Sequence, residues 1–514
     1  MRTTNTQLTA TFDVAVDALR WVAEAAVAAD GGATWPLTRR PGAATADDLY
    51  DGTAGVLMAF AQARLSGITR FDEPARAAAG RLRYLARSGW MADPAGQVVY
   101  LAGRPAELAR RPAELARRPA ELARRPTDVT GRAEDEREAP DLSLYVGLSG
   151  IVTALRTWAD VAGDAESGDA AGRLVSAIAR SAGSEPDAGV RDLLEGDAGV
   201  LATLVAYGGD DARPAASLLA DRLVGSATWA DGQPDWPAAA TGESGEPREP
   251  GGLVSKPNFS HGAAGIAFAL AAASGPLRRP DLLEVAAAAG ERLIRLGTRP
   301  DGTLAVPYRL PADRADHAGR ADQASQADQA DPAKLGDAAG HGGATHRSDT
   351  HLTELQPQVS YGWCHGPVGT LRLFELLDRL QPGRGWGKAA TACRRAVRGS
   401  GLPARLYPGF WDNLGQCCGT AGVGEMALDR FQDTTAAEWL SWADDLAEDV
   451  VNRRFTDGHG TRWSHTEHRA EPPELPPAVG WMQGAAGIAG WLLRLARVHA
   501  DGPRATRLSW PDRP

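Results

Sequence analysis

A Gly-x-x-Gly step followed by an apolar run occurs seven times between Tyr50 and Leu493. The copies read YDGTAGVLMAF, LYVGLSGIVTAL, LLEGDAGVLATL, FSHGAAGIAFAL, GWCHGPVGTLRLF, QCCGTAGVGEMAL and WMQGAAGIAGWLL. Self-similarity at this scale means that one supersecondary unit is repeated and that its copies stack, because no single unit can bury its own apolar face. The first glycine suits a turn into a helix and frees backbone N–H groups at its start. The second, one turn later, lets a neighbouring helix approach closely. Between copies lie stretches such as PARAAAGRLRYLARSGW, DAAGRLVSAIARSA and DLLEVAAAAGERLIRLG, with the spacing of amphipathic helices. Each unit therefore reads as an amphipathic outer helix, a loop and an apolar inner helix. If the array closes, all seven glycine turns point to one rim.

This pattern makes the 514-residue chain all-α and a single domain over residues 1–514. Abundant Ala, Leu and Arg, with few aromatic residues, agrees with helices. Phe12, Val16, Leu19, Val22 and Ala26 recur at helical spacing near the N-terminus, without the apolar core or cleavage site of a signal peptide. Two intervals are oversized. One holds three tandem RPAELAR heptapeptides within about 104–126, whose recurring prolines argue for a surface loop. The other, about 312–351, has almost no large apolar residue, and its His317, His341, His346 and His351 read as a solvated tract. A net charge of -10 and the lack of a basic stripe argue against nucleic acid as a partner. No stretch is long and apolar enough to span a bilayer. Four cysteines without an export signal fit a reducing cytoplasm, where clustered cysteines bind metal or act chemically.

The residues before the first glycine of each copy carry the chemistry. Immediately before it stand Asp51, Val146, Glu195, His261, His365, Cys418 and Gln483; one step earlier, copies five and six have Cys364 and Cys417. Adjacent inner helices would bring these three cysteines together at one end of the barrel. Three thiolates with a fourth place open is the arrangement of a catalytic zinc site. Sulfur donors favour zinc over magnesium or calcium, and also suit iron or copper. The helix N-termini behind them would help to keep the thiolates ionised. Cys393, between copies, reads as a buried helix cysteine. His261 shares the rim and suits acid/base work. His365, beside Cys364, reads equally as a ligand, as a support to one, or as a donor facing substrate. Asp192 and Glu195 bring carboxylates to the same rim, where capping is the alternative role. His465 and His468, in SHTEHRAE, fall in a polar loop outside the repeats and are set aside.

The seven copies, and WCHGPVGT, CCGTAG and GWMQGAAGIAG in particular, make the chain resemble the lanthionine synthetase C-like cyclase family from about Asp48 to Leu493. The resemblance implies an α/α toroid of seven inner and seven outer helices with one Zn2+ at the top of the barrel. It further implies addition of a peptide cysteine thiol to dehydroalanine or dehydrobutyrine, forming a (methyl)lanthionine thioether ring. By that resemblance Cys364 and Cys417 match the first two zinc ligands, His261 the acid/base histidine and Asp192 the rim aspartate. Cys418 stands where many members have histidine, and a three-cysteine site is a variant within the family. His365 stands where bacterial cyclases often have tyrosine, in a WCHG form similar to the eukaryotic-like branch. Ser360 replaces an arginine that some cyclases carry four residues before the first zinc cysteine.

The expected partners are a dehydrated precursor peptide and a separate dehydratase, since the repeats and insertions use up the chain. A close alternative is a transferase adding a small cellular thiol to dehydrated residues in proteins. Further off stand a carbohydrate-active toroid with paired carboxylates and a zinc-stabilised peptide-binding scaffold without turnover.

Overall fold

Every Gly-x-x-Gly step opens a helix in the computed structural model, which describes residues 5–88, 141–184, 189–239, 253–308, 310–311, 360–404, 413–466 and 474–513. The two oversized insertions, about 104–126 and 312–351, and His468 lie outside the described residues. The glycine-led helices are α2 (Thr53–Leu65), α4 (Leu148–Ala162), α6 (Asp197–Tyr207), α8 (Ala263–Leu277), α10 (Pro367–Leu380), α12 (Thr420–Thr434) and α14 (Ala485–Asp501). Between them run α1 (Asn5–Ala23), α3 (Asp72–Ser88), α5 (Ala165–Ser184), α7 (Arg213–Gly225), α9 (Pro280–Gly297), α11 (Trp386–Arg398) and α13 (Ala437–Asn452).

Packing sorts these into two rings. Each glycine-led helix contacts the next, and α14 returns to α2, so the inner ring closes. Each intervening helix backs one inner helix: α3 on α2, α5 on α4, α7 on α6, α9 on α8, α11 on α10 and α13 on α12. The first helix, α1, backs the last, α14, and so ties the two ends of the chain. The expected all-α double ring, with seven helices in each layer among the described residues, is what forms. Inner helices such as α2 and α8 are buried along nearly their whole length, because neighbours cover them on both flanks and behind. The second glycine admits a residue of an adjacent copy everywhere except at Gly422, whose nearest atoms belong to Gln416 of its own loop. At Gly55 a Cβ would lie 2.7 Å from the Cβ of Trp481, in the neighbouring repeat across the closure.

Small hairpins join the outer helices to the rim, and these the helical periodicity did not reveal. They are β1 (Val27–Ala29) with β2 (Gly32–Pro36), β3 (Thr228–Ala230) with β4 (Gln233–Asp235), and β5 (Phe455–Asp457) with β6 (Gly460–Arg462). Each turns at an Asp-Gly pair, a strong short-range hairpin signal. In the second strand of each hairpin or just after it, a buried tryptophan donates its indole N–H to a carbonyl at the C-terminus of the preceding outer helix. The bonds are Trp35 to Val22 (2.8 Å), Trp236 to Leu223 (2.7 Å) and Trp463 to Val450 (2.8 Å). In all three the partners are 13 residues apart, so the hairpin is part of the repeat.

The rim is closed by backbone. In each copy the residue two before the first glycine donates its N–H to the carbonyl of its counterpart in an adjacent copy. The chain of bonds runs Tyr50 to Tyr145, Leu194, Ser260, Cys364, Cys417, Met482 and back to Tyr50, all between 2.8 and 3.1 Å. This seven-membered belt fixes the relative height of every pre-glycine residue. Across the inner ring, segment 505–513 is held from opposite sides. The fully buried Asp512 carboxylate accepts from the Tyr145 hydroxyl and the Trp363 indole, both at 3.0 Å, and pairs with Arg372.

Candidate metal centre

The belt places Cys364 and Cys417 side by side, the Cys364 N–H donating to the Cys417 carbonyl at 3.1 Å. Cys418 follows in sequence, and the sulfur atoms of Cys364, Cys417 and Cys418 lie within 4.8 Å of one another. Gly362 allows this approach: a Cβ there would sit 2.6 Å from the Cys418 Cα. Around a tetrahedral zinc with bonds of ~2.3 Å, thiolate sulfurs stand roughly 3.8 Å apart, so the donor set fits with small side-chain adjustment. Cys364 and Cys417 are buried, Cys418 is partly exposed, and all are free thiols.

Crowding and burial push the Cys364 and Cys417 thiols toward their protonated form. Hydrogen bonding to Cys417 and Cys418, followed by burial, pushes the Cys364 pKa well above its ordinary value. At Cys417 the bond to Cys364 works downward, but Cys418 and burial outweigh it, and the net shift is also upward. Carbonyls of the preceding loops take up N–H groups that open the inner helices. Thr420 donates to Asn413 at 3.2 Å and Ala421 to Leu414 at 3.1 Å. A cation bound among such crowded thiols would supply charge that favours their ionised form.

Asp192, Glu195 and His261 form a second group, with ligand atoms within 4.8 Å of one another. Asp192 uses both carboxylate oxygens, in the turn before α6 rather than at its N-cap. One carboxylate oxygen accepts the Glu195 N–H at 2.7 Å, while the other meets His261 Nδ1 at 3.0 Å. Burial acts to lower the His261 pKa, but the Asp192 charge and hydrogen bond outweigh it and the net shift is upward. Asp192 thus holds Nδ1 and leaves Nε2 to carry a proton. His261 adjoins the thiols through its neighbour Ser260, whose N–H and hydroxyl both donate to the Cys364 carbonyl, at 2.9 and 3.1 Å.

His365 does not join the thiol group. Its ring packs on Tyr308, with centroids 4.1 Å apart, and faces His261 at 5.8 Å. Cys393 is fully buried on α11, where burial pushes its pKa far up, as befits a packing thiol.

Three contributors escaped the sequence reading. Asn413 donates its side-chain amide to Cys418 Sγ at 3.3 Å. Tyr50, two residues before the first glycine of copy one and so in register with Cys417, is buried, and its hydroxyl accepts from Gln483 Nε2 at 2.9 Å. His465, set aside as a loop residue, is only 3% exposed and pairs in a two-stranded ladder with Leu475. Neither of its ring nitrogens has a hydrogen-bond partner among the described residues. Burial lowers its pKa to about 4 against the opposing pull of Cys418. Register could have found Tyr50; no local signal marks Asn413 or His465.

Fold and site together define a closed α/α double ring with three clustered thiols at the rim formed by the inner-helix N-termini. A family model described as lanthionine synthetase C-like protein matches residues 120–303 and 345–501, well over half of the chain. The chain belongs to the lanthionine synthetase C-like family. Among solved structures, one titled "Nisin cyclase" is similar at 14% identity, covering 69% of this chain and 76% of its own, with a TM-score of 0.47. No curated protein shows a significant match. No described helix is long and apolar enough to cross a membrane.

Proposed function

We propose that the whole chain acts as one zinc-dependent peptide cyclase unit, joining cysteine thiols to dehydroalanine or dehydrobutyrine to form thioether rings. Family membership supports a cyclase-type activity. The observation that carries the finer reading is the adjacency, along the belt, of the three-sulfur group and the His261–Asp192 pair. Held by Cys364, Cys417 and Cys418, zinc would supply a Lewis acid that lowers the pKa of an incoming thiol into the neutral range.

The chain's own residues handle the remainder. The new C–S bond forms at the β-carbon of the dehydro residue, leaving an enolate that needs a proton at the α-carbon. His261 suits that donation, because Asp192 holds Nδ1 and supports the imidazolium, leaving Nε2–H to give. The proton lost by the thiol balances the one gained by the α-carbon. His365, packed between Tyr308 and His261, would border the peptide. Substrates arrive already dehydrated, so a separate dehydratase acts first. Four free cysteines suit a reducing, cytoplasmic setting.

Elemental analysis should find about one zinc per chain, lost in the Cys417→Ala/Cys418→Ala double variant. A dehydrated peptide carrying a free cysteine should lose its alkylatable thiol without a change in mass. Addition of an external thiol's mass instead would identify a small-thiol transferase. His261→Ala should keep zinc and fold while cyclisation slows by roughly a hundredfold or more. Near-native turnover in that variant would make His261 a packing residue.

A further inference from the structure

Helix α14 ends at Asp501, at the end of the ring opposite the thiols, and the segment that follows turns back toward them along α12. In the last turn of α12, Gln432 Nε2 donates to the Ala505 carbonyl at 2.7 Å, and Asp433 pairs with Arg507 at 2.6 Å. Near the other end of α12, Glu425 pairs with Arg513 at 3.0 Å. The same segment meets α10 and the loops before α4 and α10, on other sides of the inner ring, so it runs inside that ring. Its Leu508, Trp510 and Asp512 are buried there.

Cys364, Cys417 and Cys418 stand on turns, so their spacing depends on what packs against those turns. The inner segment reaches both sides of the Cys364–Cys417 contact. Asp512 accepts the Trp363 indole N–H at 3.0 Å, and Trp363 is joined directly to Cys364. The same carboxylate oxygen accepts the Tyr145 hydroxyl at 3.0 Å and pairs with Arg372, so Asp512 is itself fixed from three directions. Trp510 packs on Trp481, with ring centroids 5.5 Å apart. Trp481 precedes Met482, whose carbonyl accepts the Cys417 N–H at 2.9 Å. Ordering a turn costs conformational entropy, and a turn already held in place spares that cost when an ion binds.

We infer that the segment after α14 is a positioning element for the thiol group. Asp512, through Trp363, and Trp510, through Trp481, hold the Cys364 and Cys417 turns from inside the ring at the spacing a metal ion needs. The inference rests on the proposed zinc site and adds to it a segment remote from the thiols in sequence. Groups that orient metal ligands from behind contribute to affinity without touching the ion.

The test measures zinc affinity of the full-length protein by competition with a chelating dye, with circular dichroism to check that each variant is folded. Asp512→Leu, which removes the acceptor at similar volume, should weaken zinc binding by roughly tenfold or more. Asp512→Asn keeps a side-chain oxygen for the Trp363 and Tyr145 donors and should retain most of the affinity. Trp510→Ala, which removes only the packing on Trp481, should weaken binding in the same direction. Trp236→Phe deletes a buried indole bond beside the hairpin after α7, and should bind zinc as the wild type does. That variant separates positioning from a general loss of stability. Wild-type affinity in folded Asp512→Leu and Trp510→Ala overturns the inference while leaving the metal site intact. If Asp512→Leu does not fold, Trp510→Ala decides by the same measure. A wild-type chain that binds no zinc overturns the metal site itself.

Discussion

Glu425 and Asp429 on α12, and Asp48 and Asp51 in the loop before α2, are acids of the same inner ring with opposite protonation behaviour. Around Glu425 and Asp429 the ring supplies arginines. Arg494 from α14 pairs with both and Arg513 reaches Glu425 at 3.0 Å. Burial acts to raise both carboxyl pKa values, but the Arg494 and Arg513 charges win and hold both below the usual range. No described arginine pairs with Asp48 or Asp51. Burial lifts Asp48 to about 6, with backbone N–H bonds from Asp51 and Gly52 offsetting only part of the rise. Burial and then the Asp48 charge lift Asp51 to about 8. The thiols and His465 follow the rim pattern, each pushed toward its neutral form. The paired region is ionised and structural. In the unpaired region burial favours the neutral forms, so that Asp48 and Asp51 titrate much closer to neutral pH than ordinary carboxyls.

The sharpest way to break this contrast is to remove the arginine. Arg494→Met should cost about 3–5 kcal/mol at neutral pH, because two carboxylates lose their shared partner and Glu425 is left buried. Urea unfolding measures it, and a loss below about 1 kcal/mol would show that the network is not structural.

A smaller effect is expected at Asp51, with a definite pH signature. Between about pH 4 and 8 the folded protein holds a proton there that the unfolded chain releases. Wild-type stability therefore falls as pH rises through that window, and the full cost is present above it. Asp51→Asn should match wild type near pH 4 and exceed it by on the order of 1–3 kcal/mol at pH 9, a range that allows for residual hydration of a half-buried carboxylate. Glu425 and Asp429 have the opposite sign: their contribution is present above the ordinary carboxylate range and disappears as pH falls below it. Equal pH profiles for Asp51→Asn and wild type would remove the distinction between the two regions.

The mildest test stays within one hairpin, away from both regions. Trp236→Phe, which deletes the bond to the Leu223 carbonyl, should cost about 1 kcal/mol. Trp229→Ser, at a position 50% exposed, should stay within about 0.5 kcal/mol of wild type. Equal effects at both positions would mean that the indole bond common to three repeats contributes nothing.

The double ring was readable because its signal is local and repeated. Each Gly-x-x-Gly marks a helix start within a few residues, and seven copies leave little freedom for another architecture. Cys364, Cys417 and Cys418 could be grouped because the repeat assigns them one register. Less was readable at the supporting groups. Tyr50 has an ordinary residue type and acquires meaning only from its remote partner Gln483, whereas Asn413 reaches Cys418 within its own loop. The hairpins were missed although their Asp-Gly turns recur at Asp30, Asp231 and Asp457, because a helical period conceals short two-stranded ladders.

The amino-acid sequence by itself determined the helices, their number and the height at which each chemical group stands, since all three follow from backbone geometry within one repeat. Tertiary structure alone decided that the belt closes from Met482 to Tyr50, that Asp512 is gripped from opposite sides, and that His465 is buried in the field of Cys418. It also decided which acids and thiols keep their protons. A pKa depends on desolvation and on charges brought close from remote parts of the chain, and neither exists until the ring has closed.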